Sequence, residues 1–140
     1  MRYMIIVRAT PMSEAGIIPD DPKLMADMAD YHEQLAKAGV LLDGSGLQPS
    51  AKGWRIRWGS GKPVVVDGPF AETKELIAGY TVIQVRSPEE AMEWSRRFPR
   101  PFPEGVDCEI EVRRLYELED FGSDPALDRM REIGLGTSER

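Results

Sequence analysis

Apolar and polar positions change along this chain in short alternating runs, interrupted twice by helical spacing, and that rhythm predicts the order of elements. Tyr3, Ile5 and Val7 alternate with Met4 and Ile6, so both faces of the first run are apolar. Such a run predicts a central strand covered on both sides. Residues 9–21, with Pro11, Gly16 and Pro19, read as a loop long enough to reach over a cleft. Asp21-Pro22 then supplies an N-cap and a first-turn proline, and Gly39 closes the helix they open. Within it Leu24, Met28, Tyr31 and Leu35 form one apolar stripe.

Val40-Leu41-Leu42 predicts a short strand, followed by a turn-rich connector over 44–50. Trp54, Ile56 and Trp58 alternate with Arg55 and Arg57, and Gly59-Ser60-Gly61-Lys62 turns this strand into residues 63–66. This is a hairpin pattern. A charged turn over 67–75 leads into a strand over 76–85. Ser87-Pro88-Glu89-Glu90 opens a second helix with Ala91, Trp94 and Phe98 on its buried side, and Pro99 stops it. Residues 108–118 read as the last strand, with Ile110 and Val112 inward, and Leu127, Met130 and Ile133 mark a short helix that Gly134 and Gly136 fray.

Strand, helix, strands, helix, strand is the order of a ferredoxin-like split βαβ α+β fold, here with an inserted β-hairpin. Both helices then share one sheet face. The other face needs a cover, and a second copy of the chain is the economical one, so the pattern predicts a homodimer packed sheet to sheet.

Composition narrows the function classes. At 140 residues and 41% hydrophobic, the chain fits one domain with its own core. A net charge of −6 argues against a phosphate backbone as partner, so no nucleic acid is expected. Cys108 is the single cysteine, which excludes an internal disulfide framework and a cysteine zinc cluster and fits a reducing cytoplasm. The opening apolar run is far shorter than a signal peptide or a membrane span, so no membrane is expected either. There is no glycine-rich phosphate loop, zinc-binding helix motif or nucleophile elbow, and no cofactor is expected.

His32, the sole histidine, sits beside the apolar stripe in line with Met25, Ala29 and Ala36. An imidazole there can carry a proton near neutral pH, or can serve as a hydrogen-bonded packing residue. Alone it makes no metal site. Asp67 either fixes the turn before Gly68-Pro69 through backbone amides or orients and accepts a proton from His32. Both roles can hold together. Glu72, Lys74 and Glu75 read as a solvated charged loop, or as a place where Lys74 binds an anionic group that Glu72 orients. Arg55 and Arg57 are a cationic rim on the hairpin or simply its exposed face, and Trp54 and Trp58 read as core or dimer contacts. Cys108 lies between Asp107 and Glu109, whose charges disfavour a thiolate nucleophile.

The stretch from Asp67 to Glu75, followed by Ala78-Gly79-Tyr80, resembles the DGPF motif of the YCII-related domain family. Gly44 to Pro49 resembles that family's loop before the hairpin, Glu90 to Trp94 its second helix, and Ile110 to Arg113 its last strand. The resemblance covers residues 1–118 as a YCII-related domain and leaves 119–140 as a C-terminal extension. It implies a ferredoxin-like fold assembled as a dimeric α/β barrel. It also implies a pocket containing a first-helix histidine, the place His32 matches. Shorter YciI-like members pair that histidine with the aspartate of an Asp-Pro-Tyr segment after the second helix; here Arg97-Phe98-Pro99-Arg100 has none, leaving Asp67 or Asp43 to substitute.

Two function classes follow. One is a dimeric small-molecule-binding protein or cofactor-independent acid/base enzyme, with His32 and Asp67 catalytic and Lys74, Glu72 and Arg55 holding the ligand. The other, suggested by relatives that accompany sigma factors, is a non-enzymatic regulatory or protein-interaction module.

Overall fold

Two antiparallel sheets organise the computed structural model, which describes residues 1–137. In chain order the elements are β1 (Arg2–Arg8), α1 (Pro11–Glu14), α2 (Pro22–Lys37), β2 (Leu41–Gly46), β3 (Trp54–Arg57), β4 (Val64–Asp67), β5 (Ile77–Gln84), α3 (Pro88–Arg96), β6 (Ile110–Arg114) and α4 (Pro125–Glu132). The main sheet has the order β2-β5-β1-β6, and β3 pairs with β4 apart from it. Each neighbour in the main sheet is antiparallel. This is the split βαβ order expected from the pattern: α2 carries the chain from β1 past β5 to β2, and α3 carries it from β5 past β1 to β6.

Three local readings change. The loop over 9–21 contains α1, whose first turn is closed by the Thr10 hydroxyl accepting from Ser13 N. Thr10-Pro11 is itself a cap followed by a first-turn proline, a signal too short to stand out before a four-residue helix. β2 runs on through Gly44-Ser45-Gly46, the stretch read as connector, because β5 supplies its partners: Gly44 lies opposite Thr81 and Ser45 opposite Tyr80. Pairing overrides the turn chemistry of glycine and serine there. β6 is shorter than 108–118, and Leu118–Phe121 forms a single 3₁₀ turn instead.

The core lies between the sheet and its two long helices. Ile5, Leu35 and Ile83 are fully buried, joined by Tyr31, Val40, Val85, Ala91 and Trp94. Tyr31 ties α2 to α3, its hydroxyl donating to the Trp94 carbonyl at 2.8 Å while its ring meets Phe98 edge-on at 5.1 Å. Burial pushes the Tyr31 hydroxyl up to about 12, with the Arg97 charge opposing weakly. The unfolded chain then ionises this group first, so stability should fall between about pH 10 and pH 12, by about 2 kcal/mol. Thermal melts of Tyr31→Phe across that window should lose this share of the slope; a slope identical to wild type would count against it.

Arg2, Met4 and Ile6 point to the face away from the helices, by strand alternation from Tyr3 and Ile5. Within one chain Ile6 is already 9% and Val82 8% exposed. Arg2 Nε donates to Glu117 at 3.0 Å and its guanidinium reaches the Tyr116 carbonyl, so the C-terminal segment comes round to this side. Part of this sheet face is therefore covered within one chain. Large exposed apolar side chains gather elsewhere: at a cavity mouth (Ile17, Ile18, Met25, Leu47), on the β3–β4 hairpin, and in the C-terminal segment.

Candidate functional site

Between α2, β2, β5 and the 16–19 segment lies a cavity of about 1000 Å³. Its wall is mostly apolar, with Ile17, Ile18, Met28, Leu47 and Phe102 among the lining residues. His32, Asp43, Lys52, Tyr80 and Thr81 add the polar groups that matter. Met25, Met28 and His32 fall on one side of α2 because their spacing of three and four residues brings them round the same face. That places the imidazole inside the hollow.

Both ring nitrogens are engaged. Nδ1 lies 2.8 Å from the Met28 carbonyl, which can only accept, so Nδ1 carries the hydrogen. In the neutral ring Nε2 is then the acceptor, and it takes a hydrogen bond from the Thr81 hydroxyl at 2.8 Å. Thr81 is itself 3% exposed, held in the central strand β5. Tyr31 and Phe98 meet the imidazole edge-on at 5.5 and 6.4 Å and hold its plane. Opposite stands Gly44, where a Cβ would come 3.8 Å from Nε2. The backbone of β2 therefore approaches the ring closely without touching it.

Of the two aspartates expected as candidates, Asp43 lines the cavity and Asp67 does not. Asp67 is an exposed residue of β4, opposite Trp54 on the hairpin, and does not line the cavity. His32 and Asp67 thus do not share this cavity: β3 and β4 form a sheet of their own, and Asp67 at the end of β4 is not among the residues that line it. Asp43 does line the cavity: its Oδ1 accepts from Gly44 N at 2.8 Å and its Oδ2 lies 3.4 Å from the Tyr80 hydroxyl. Glu72 and Lys74 are exposed and outside the cavity wall, Lys74 offering its backbone carbonyl to the Arg8 guanidinium. Arg55 stacks over the Phe70 ring at 3.8 Å and lines a separate hollow of about 170 Å³ with Glu14 and Ser50.

What Asp67-Gly68-Pro69-Phe70 does is mechanical. Gly68 N donates to the Gly53 carbonyl at 3.0 Å, and Phe70 N donates to Ser50 Oγ at 3.0 Å. Ser50 in turn donates through its backbone N to Glu14 Oε1 at 3.0 Å, and through its hydroxyl to Glu14 Oε2. Gly68 presses so closely on Ser50 that an added Cβ would stand 1.8 Å from the Ser50 carbonyl oxygen. The motif clamps the hairpin base onto the connector whose Leu47, Gln48, Pro49 and Lys52 wall the cavity.

Thr81 was overlooked in the sequence, though a signal existed: a hydroxyl in phase with Ile83 and Val85 on the helix-facing side of an apolar strand. Among the described residues no three His, Cys, Asp or Glu side chains are grouped to hold a metal ion. Nor, among them, is any helix long and apolar enough to cross a membrane.

The family model of the YCII-related domain matches residues 1–116, which include the cavity, His32 and the hairpin clamp. This chain belongs to the YCII-related domain family. A YCII-related relative, an uncharacterised protein of Rhizobium meliloti (strain 1021), is 31% identical over 98 residues, 70% of this chain and 79% of that one. Among solved structures, the chain is similar to 5-chloro-2-hydroxyhydroquinone dehydrochlorinase from Burkholderia phenoliruptrix AC1100, in complex with 2,5-dihydroxybenzoquinone. That match has a TM-score of 0.44 and 16% identity, and covers 84% of this chain and 95% of the other. In this YCII-related chain the first long helix thus carries its single histidine into the cavity wall, while the DGPF stretch supports that wall from outside.

Proposed function

We propose that this protein is a homodimer that binds a small, largely apolar molecule in the cavity beside His32. One observation carries the reading: a mostly apolar hollow of about 1000 Å³ converges on an imidazole fixed at both nitrogens. Ligand sites have this make-up, an apolar wall with a few placed polar groups. As an enzyme it would need no cofactor. A proton leaving the ligand would pass to Nε2 through the Thr81 hydroxyl, which can donate to the neutral ring and accept from the imidazolium. The Met28 carbonyl keeps its bond to Nδ1–H in both states. Asp43, rather than Asp67, is the acidic group of this site.

The test is a thermal-shift screen of small apolar molecules bearing one hydroxyl or carbonyl, on wild type and Gly44→Leu. A leucine at 44 projects from a Cβ in ordinary contact with Nε2 and fills the space in front of it. A ligand at a hundred times its Kd stabilises by about 2.7 kcal/mol, a shift of several degrees. Hits present in wild type and absent in Gly44→Leu support the site. No hit, or equal hits in both proteins, contradicts it and favours the docking-module reading.

A further inference from the structure

Two surfaces outside the cavity are alike in exposure and opposite in charge. On the hairpin, Ile56 lies opposite Val65 and shares a face with Trp54, and these three are 45, 63 and 64% exposed. Trp58, just past β3, is 76% exposed. Lys52, Arg55, Arg57 and Lys62 are the only charged residues between positions 51 and 66. A two-stranded ribbon is marginal by itself in water, and this one bares its indoles.

The C-terminal segment is the converse. Tyr116 and Phe121 stack at 5.0 Å and are 70 and 61% exposed, and Ile133 and Leu135 are 75 and 54% exposed. Along residues 116–135 Glu117, Glu119, Asp120, Asp124, Asp128 and Glu132 outnumber Arg129 and Arg131, so the segment is net negative even though Arg131 pairs with Asp128 and Glu117 with Arg2. Since both surfaces are bare in the same chain, neither covers the other within a protomer.

We propose that they cover each other between copies: the hairpin of one protomer lies on the C-terminal segment of its partner, and reciprocally about a two-fold axis. The proposal rests on the homodimer reading above and names its contacts. Reciprocity buries both apolar sets and sets Lys and Arg of the arm against the acids of the partner. A nucleic acid or an anionic membrane would engage the arm alone and leave the acidic apolar segment bare.

Sedimentation equilibrium at physiological salt tests this with R57E/K62E, with E119K/E132K, and with the chain carrying all four changes. These positions are exposed and lie outside the cavity wall, so each variant should keep the wild-type fold, read as an unchanged far-ultraviolet circular-dichroism spectrum. Wild type should be a dimer, each double variant should bind its own copy at least about tenfold more weakly, and the four-site chain should regain the dimer. A wild-type dimer untouched by either double variant, or a four-site chain no tighter than the doubles, overturns this interface and leaves the homodimer standing. A wild-type monomer overturns both. So does a monomer whose arm responds only to added single-stranded DNA or anionic vesicles.

Discussion

Gly68→Ala should destabilise the protein by about 3 kcal/mol or more and lower its thermal midpoint by roughly 10 °C. The new Cβ would stand 1.8 Å from the Ser50 carbonyl oxygen and 2.6 Å from its carbon, and both are backbone atoms in a segment tied down on two sides. Nothing flexible can move aside. Relief requires parting the hairpin from the connector, which breaks the Gly68–Gly53 and Phe70–Ser50 hydrogen bonds together. Because that connector walls the cavity, ligand binding should fall with stability. Gly44→Ala is the control: its Cβ meets nothing closer than 3.5 Å, so its midpoint should stay near wild type. Calorimetric melts decide the matter. A Gly68→Ala midpoint equal to that of Gly44→Ala would remove the clamp.

His32→Leu should separate structure from function. It keeps the apolar contacts with Tyr31 and Phe98 but strands the buried Thr81 hydroxyl, a loss of about 2 kcal/mol. Adding Thr81→Val removes the stranded group and should return about half of that, since two apolar groups meet where a bonded pair stood. Ligand affinity follows another course. It should fall at least tenfold in His32→Leu and stay low in the double variant, because the polar end of the cavity is gone in both. Recovery of binding alongside stability would mean that the pair only packs.

Much of the architecture was legible because local physics decides it. The alternation of Tyr3, Ile5 and Val7, the Leu24-to-Leu35 stripe, and the Asp21-Pro22 and Ser87-Pro88 openings each have one cheap solution, and the chain adopts it. Gly44-Ser45-Gly46 was misread since its strand character comes from β5, far along the chain, and not from its own propensities. His32 was legible as a candidate by its uniqueness and its position beside an apolar stripe, and it lines the cavity. Its partner was not legible. Which way a hairpin turns its Asp depends on sheet assignment, and β3 and β4 stand apart from the main sheet. Thr81 needed the register that sets it across from Gly44, within reach of α2.

With one histidine in the chain, ¹⁵N-histidine labelling reports on His32 alone. In the free protein the neutral ring should carry its hydrogen on Nδ1 and accept at Nε2 from Thr81, and a cavity ligand should shift the Nε2 resonance first. An Nε2–H tautomer, or a bound ligand that leaves both ring nitrogens where they were, would contradict it.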